Sequence, residues 1–169
     1  VADRVAGRRE AVRRGVAHGL GQRFAARPEK PARRLVFIAF TGEERGLLGS
    51  AQYVKEPLFP IETTIAMFNM DMVGRLEEDK LTVFGSGTSP RWADLLDRSA
   101  EGKQLTLVKK PEGFGPSDHS SFYAKEIPVL HLFTGTHDDY HRPSDDAVKI
   151  NVDGMSRIVD FLEAIVVDT

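Results

Sequence analysis

Side chains that could bind a metal ion or move a proton are concentrated in three short stretches of the sequence. FTGEE ends in the adjacent carboxylates Glu43 and Glu44, NMDMVG contains Asp71, and TGTHDDYHRPSDD contains two histidines and four aspartates. The candidate residues of the third stretch are His137, Asp138, Asp139 and His141. Carboxylates and imidazoles without thiols suit a catalytic zinc or a similar divalent ion, and the chain has no cysteine.

Each of these acids could instead be an ordinary solvent-exposed loop residue that binds no metal. Asp71 is the most informative, because it lies inside an apolar segment where an unpaired carboxylate is costly. For Asp71 the alternative is a structural pairing with a buried arginine or an amide.

Each stretch lies at the end of an apolar run of strand length, and these runs span residues 34–40, 63–74 and 127–135. Further strands are predicted in KLTVFGSG and QLTLVKK, and helices in SPRWADLLDRSAEG, GPSDHSSFYAKE and DGMSRIVDFLEAIVVD. This alternation predicts an α/β fold with helices on both faces of the sheet. Active sites of such sheets gather at the carboxyl ends of the strands, so the three stretches should converge.

Composition restricts the class of protein. The 169 residues suffice for one domain with a real core, and a hydrophobic fraction of 41 % is ordinary for a globular protein. A net charge of −2 argues against a general nucleic-acid binder, and no apolar run is long enough to span a membrane. Residues 1–34 are nevertheless basic, with ten Lys or Arg against three Asp or Glu. A basic arm can bind nucleic acid or an acidic surface, but without interleaved aromatic residues we interpret this one as a solvated helix or a disordered tail.

Four motifs match a known family in order and spacing: FIAFTGEERGLLGS, FNMDMVGR, PSDHSSFYAKEIPVLHLFTG and YHRPSDD. From about residue 32 to 165 the chain resembles the co-catalytic zinc metallopeptidases of family M28. That family includes bacterial leucyl aminopeptidases, aminopeptidase Y and glutamate carboxypeptidase. The resemblance implies a three-layer α/β/α sandwich with a mostly parallel mixed sheet, from which the early strands are missing.

The resemblance also implies roles for five residues. Glu43 would be the general base that acts on a metal-activated water, and Tyr140 would donate a hydrogen bond to the oxyanion. Glu44 and His141 would bind one zinc ion, and Asp71 the other. Two neighbouring acids are useful because a metal ligand cannot also accept the proton. Gly42 and Gly46 would let the backbone turn tightly around the site.

Other residues are assigned to the surroundings of the site. By resemblance Asp145 would orient a ligand, with a helix or turn cap as the alternative, and Asp118 and His119 would fix a loop or line the substrate pocket. Aromatic residues could line an apolar pocket or belong to the ordinary core; these are Phe114, Phe122 and Phe133. His131, within the strand VLHLF, is expected to be a buried, hydrogen-bonded core residue.

The sequence departs from the family pattern at its N-terminal end. Two of the family's five metal ligands, a histidine and a bridging aspartate, come from sequence upstream of the Glu-Glu pair, and neither His18 nor Asp3 matches them. Residues 1–31 form an atypical basic segment without a convincing apolar period. We therefore expect a frame-shifted or disordered segment at 1–31, followed at 32–169 by the C-terminal part of a catalytic domain.

The resulting functional expectation is a zinc-dependent exopeptidase of the aminopeptidase type, with a peptide as substrate. The alternative is a non-catalytic, metal-poor fragment or interaction module that keeps the peptidase fold. No nucleic-acid partner and no membrane span are expected. The family suggests a secreted or periplasmic location, although the chain shows no signal peptide.

Overall fold

A mixed sheet of four strands forms the centre of the molecule. The computed structural model describes residues 15–169. Its strands are β1 (Met67–Met70), β2 (Lys80–Phe84), β3 (Thr106–Lys110) and β4 (Val129–Phe133). Their spatial order is β1-β4-β2-β3, with β4 parallel to β1 and antiparallel to β2, and β2 parallel to β3. Strand β4, the last in sequence, is therefore central.

Within residues 15–169, five α-helices surround this sheet. They are α1 (residues 15–26), α2 (Leu48–Tyr53), α3 (Trp92–Ala100), α4 (His119–Tyr123) and α5 (Val152–Asp168). Helix α5 begins at a side-chain cap, because Asn151 Oδ1 accepts a hydrogen bond from the Gly154 amide at 2.8 Å. Within the described part of the chain, no helix is both long and apolar enough to cross a bilayer.

The helices cover both faces of the sheet. Neighbouring residues of β4 point to opposite faces, and accordingly Leu130 belongs to one hydrophobic cluster and Val129 to another. The larger cluster contains residues of α1, α3 and α5, and the smaller one contains Val54, after α2, and Phe122 of α4. The structure therefore confirms the α/β/α sandwich and its mixed sheet.

The apolar segment 34–40 is not a strand, which corrects the first strand expected from the sequence. Among residues 15–169 no strand pairs with it, and Val36 and Phe37 are each 43 % exposed. An extended segment becomes a strand only where a neighbour takes up its backbone hydrogen bonds. The apolar residues of this segment reflect packing on one side, where Leu35 contacts the larger cluster. They do not indicate whether a neighbouring strand is present.

Residues 15–26 take the helical alternative expected for the basic N-terminal arm, but they do not remain fully solvated. They form helix α1, in which Val16, Leu20 and Phe24 are buried in the larger cluster. These residues have the i, i+4, i+8 spacing of one helix face, which the surrounding arginines and glycines obscured. Arg23 of the same helix pairs with Asp160 of α5 at 2.7 Å. The domain therefore extends to at least residue 15, and residues 1–14 lie outside the described range.

Replacement of Leu81 by alanine should cost about 3 kcal/mol of unfolding free energy, because this β2 side chain is fully buried in the larger cluster. Leu58, which is 77 % exposed, provides the matched control, and its replacement should cost less than about 0.5 kcal/mol. Urea unfolding of both variants measures the difference. Equal losses of unfolding free energy in the two variants would contradict the burial of Leu81 in the core.

Candidate active site

The two adjacent acids lie in a tight turn. Glu43–Arg45 is a single 3₁₀ turn, flanked by Gly42 at φ 67° and Gly46 at φ 94°. Both values lie in the left-handed region that favours glycine, so the expected tight turn is confirmed. Successive side chains of a 3₁₀ turn diverge by about 120°, rather than alternating as in a strand. Glu43 is half-buried, whereas Glu44 is exposed.

A close backbone contact holds this turn in place. The Gly49 amide of α2 donates to the carbonyl oxygen of Thr41 at 2.9 Å. A Cβ atom at Gly49 would lie 2.6 Å from that oxygen, which is too close for any other residue. The glycine therefore permits α2 to fold back onto the residues that precede the two acids.

Glu44 meets His141, although 97 positions separate them in the sequence. The Oε1 atom of Glu44 lies 3.0 Å from Nε2 of His141, and the side chains are 44 % and 49 % exposed. The structure therefore brings together the end of segment 34–40 and the loop that follows β4, two of the three stretches expected to converge.

The backbone at His141 is unusual for a residue other than glycine. His141 has φ 59°, in the left-handed region, where few such residues occur. Its ring stacks on that of Tyr140, with 4.0 Å between the centroids and 16° between the planes. Tyr140 is 38 % exposed, and its ring lies against that of His141, a member of the Glu44–His141 pair.

A salt-bridge network holds the loop that carries these two residues. The Nη2 atom of Arg75 lies 2.9 Å from Asp139 and 3.0 Å from Asp145. Asp139 also accepts hydrogen bonds from Lys149 and Ser144, both at 2.6 Å. The structure thus pairs Asp145 with Arg75, a residue whose role the sequence did not indicate even though it ends the motif FNMDMVGR.

The charges of this network shift the pKa values of Asp139 and Arg75. Hydrogen bonds from Lys149, Ser144 and Arg75 hold the pKa of Asp139 well below its usual range. Burial alone would lower the pKa of Arg75, but the hydrogen bonds and negative charges of Asp145 and Asp139 outweigh it and raise that pKa. Each residue is therefore more firmly charged than an isolated side chain would be.

Asp71 lies just beyond the carboxyl end of β1, where a chain of hydrogen bonds positions it. Ser117 donates its hydroxyl to Asp71 Oδ2 at 3.1 Å and accepts a bond from the Asn69 side chain at 2.9 Å. Asn69 also lies 3.1 Å from Nδ1 of His131. Of these residues, Asn69 and Ser117 were not predicted, although both lie within the quoted motifs.

Two buried imidazoles stack beside this chain. The rings of His119 and His131 are 4.4 Å apart and nearly parallel, and both residues are buried, which for His131 confirms the expected core position. Neither ring nitrogen of His119 has a hydrogen-bond partner among the described residues. Burial lowers the pKa of His119 to about 4, and the charge of Asp71 only partly opposes this shift. His119 is therefore neutral at pH 7.

The other residues predicted near the site differ in how deeply they are buried. Phe122 is buried between Phe40 and Tyr53, which favours the core alternative over the pocket. Asp118 is buried next to His119. The other side chains are placed as follows: Phe114 is 62 % exposed and contacts Tyr123, Phe133 is half-buried beside Phe84, His137 is half-buried, and Asp138 is exposed.

The Glu44–His141 pair fits zinc in the chemistry and the separation of its donors. Oxygen and nitrogen ligands of tetrahedral zinc, at about 2.0–2.1 Å from the ion, are about 3.3 Å apart, close to the 3.0 Å observed. Within residues 15–169, however, no three His, Cys, Asp or Glu side chains are placed to bind one ion together. A catalytic zinc takes three protein ligands, so a zinc ion held by this pair would need a further protein ligand.

Comparison with known families identifies the chain. The profile of peptidase family M28 matches residues 15–166. The chain therefore belongs to peptidase family M28, which confirms the resemblance carried by its motifs. No curated protein matches the chain significantly.

Solved structures of similar fold include bacterial aminopeptidases. BSAP, a zinc aminopeptidase from Bacillus subtilis, superposes with a TM-score of 0.76 at 27 % identity, over 90 % of this chain and 39 % of its own. An aminopeptidase from Aneurinibacillus sp. strain AM-1 is 31 % identical, with a TM-score of 0.61 over 77 % of this chain and 32 % of its own.

A third structure supports the fold alone. The LapA aminopeptidase of Legionella pneumophila has a TM-score of 0.75 at 22 % identity, over 90 % of this chain and 43 % of its own. The chain therefore spans less than half the length of each of these proteins.

The buried, neutral His119 should make stability depend on pH. Its folded-state pKa of about 4 lies below the ordinary 6.5, so between these values the unfolded chain binds the proton first. The stabilisation is complete above pH 6.5 and is lost as the pH falls towards 4, by at most about 1.4 kcal/mol per pH unit.

Urea unfolding at pH 7 and pH 5 tests this linkage. His119→Gln, which cannot titrate, should lose about 2 kcal/mol less than the wild type on acidification. His18→Gln is the control, because His18 is exposed on α1. If His119→Gln loses as much stability as the wild type, His119 is not the group that titrates.

Proposed function

We propose that this chain is the C-terminal part of the catalytic domain of a zinc-dependent exopeptidase of the aminopeptidase type. The observation that carries the proposal is the 3.0 Å contact between Glu44 and His141. Sequence motifs assign these residues to one metal ion, and the fold brings them together from 97 positions apart. Zinc is named in the description of the similar Bacillus subtilis enzyme, which supports this choice of metal.

Glu44 and His141 would hold one zinc ion, and Asp71, oriented by Ser117, would contribute to the binding of a second. Zinc supplies a Lewis acid that polarises a carbonyl and lowers the pKa of water towards about 7. Because residues 15–169 place no three donors together, the remaining ligands would come from residues outside this range. Carboxylate and imidazole ligands suit zinc without thiols.

Glu43 would act as the general base. It lies next to Glu44 in the same 3₁₀ turn, and the two side chains diverge. Glu44 can therefore face the metal while Glu43 faces the substrate and accepts the proton of the attacking water. General base catalysis of this kind contributes roughly 10²–10⁴-fold in rate.

Tyr140 would stabilise the negative charge that develops on the substrate carbonyl oxygen. Its ring is held against His141, so its hydroxyl lies beside the residues that would bind the metal. One such donor contributes about 3 kcal/mol of transition-state stabilisation. Together, the two acids, Tyr140 and the proposed metal ligands would bind and orient a peptide and hydrolyse its peptide bond.

Replacing each of the two acids by glutamine in turn separates their proposed roles. Glu43→Gln should leave bound zinc unchanged and reduce hydrolysis of leucine p-nitroanilide at least 10²-fold. Glu44→Gln should reduce both zinc content and hydrolysis, because it removes a ligand. Native mass spectrometry gives the zinc content, and absorbance at saturating substrate gives the rate.

Glu62→Gln is the matched control, since Glu62 is an exposed acid in a different 3₁₀ turn. It should change neither quantity. A wild-type chain that binds no zinc and hydrolyses no substrate would contradict the proposal for this polypeptide, and would favour the metal-poor interaction module. Hydrolysis of a peptide with a blocked N-terminus would contradict the aminopeptidase assignment.

A further inference from the structure

The loop that carries Tyr140 and His141 has little regular structure of its own. Between β4 and α5 the chain forms one short 3₁₀ turn, Ala147–Lys149. His141 adopts a left-handed backbone conformation and reaches Glu44 from an exposed position. Such a segment needs contacts outside itself to hold one conformation.

Arg75 provides such contacts on both sides of His141. Its Nη2 atom donates to Asp139, two residues before His141, and to Asp145, four residues after it. These three side chains, which we call the Arg75 bridge, are 17 %, 18 % and 20 % exposed. Because they are largely shielded from water, their attraction is screened less than that of surface ion pairs.

The backbone on both sides of Arg75 is fixed to the start of α5. Four positions after Asp71, Arg75 lies between the buried residues Gly74 and Leu76. Asn151, the N-cap of α5, binds both neighbours, as its amide donates to the Gly74 carbonyl at 2.9 Å and its side chain to the Leu76 carbonyl at 2.8 Å. The loop is thus attached, through the guanidinium group, to a backbone segment that is itself held in place.

We propose that Arg75 is a positioning residue, which holds the loop so that His141 and Tyr140 face Glu44. The assignment rests on the proposed function, because it concerns the same site. The bridge connects the segment that follows Asp71 with the loop that contains His141. It therefore sets the relative position of residues expected to serve the two metal ions.

The test compares Arg75→Met and Arg75→Lys with the wild-type chain, and Arg157→Met is the matched control. Arg157 also forms a partly shielded salt bridge, at 2.8 Å to Asp79, but on a different part of the surface. Arg75→Met keeps much of the side-chain length without the charge. Arg75→Lys keeps the charge without the planar group that reaches both carboxylates.

Amide hydrogen exchange of residues 134–146 is the first readout. Exchange should become about tenfold faster in Arg75→Met, as expected for loss of a half-buried bridge, and change less in Arg75→Lys. Residues 80–84 of β2 should exchange as in the wild type. In Arg157→Met, residues 134–146 should not change.

The NMR signal of the His141 ring is the second readout, assigned with His141→Gln and recorded at one fixed pH. Stacking on Tyr140 at 4.0 Å shifts the ring protons upfield. In Arg75→Met this shift should collapse towards the value of an unstructured histidine. A purely structural role of Arg75 would lower stability without selectively changing this signal.

Activity separates the two proposals. If the wild type hydrolyses leucine p-nitroanilide, Arg75→Met should reduce kcat more than it raises KM, and Arg75→Lys should restore part of kcat. Unchanged exchange and an unchanged His141 signal in Arg75→Met would overturn the positioning role, whatever the activity. An inactive wild type whose loop nevertheless loosens in Arg75→Met would support the positioning role and overturn only the proposed function.

Discussion

The parallel pairing of β1 with β4 determines where the candidate site residues lie. Its register aligns Met70 with Leu132, so that Asp71 and the loop beginning at Thr134 leave the sheet at the same edge. The Asp71 amide extends the pairing by one more bond, to the Leu132 carbonyl at 3.2 Å. Without this pairing neither the Arg75 bridge nor the contact of His141 with Glu44 could form, because both depend on where the loop after β4 begins.

At this edge, two kinds of environment lie next to each other. Around Asp71 the side chains are buried and joined by neutral donors, and the neighbouring His119 is kept uncharged by burial. Glu44 and His141 are themselves exposed, and the loop around His141 is held by the more shielded ion pairs of Arg75. A buried network fixes geometry at the cost of adaptability. An exposed loop can instead admit a substrate, provided that something holds it, which is the task we assign to Arg75.

Much of this arrangement could be predicted from the sequence, because strongly apolar runs and turn residues locate the elements. Strands β1 to β4 and helices α3 to α5 were predicted, and the family motifs singled out Glu44, Asp71 and His141 as candidate metal ligands. The predictions that failed, or were not made, concern features that depend on tertiary contacts. Segment 34–40 has the composition of a strand but no partner within the described residues. The role of Arg75 was invisible because a salt bridge between residues 64 and 70 positions apart leaves no local pattern.

The strand order β1-β4-β2-β3 also has a consequence for how the chain folds. Strands β1 and β2 do not pair with each other, and β4, which lies between them, is the last strand to be synthesised. Its pairing with β1 must close a loop of about 60 residues, an entropic cost that slows folding. During synthesis β2 and β3 can associate early, but the four described strands are joined only after Phe133 has emerged. The joining of these four strands and the approach of His141 to Glu44 thus belong to a single late event.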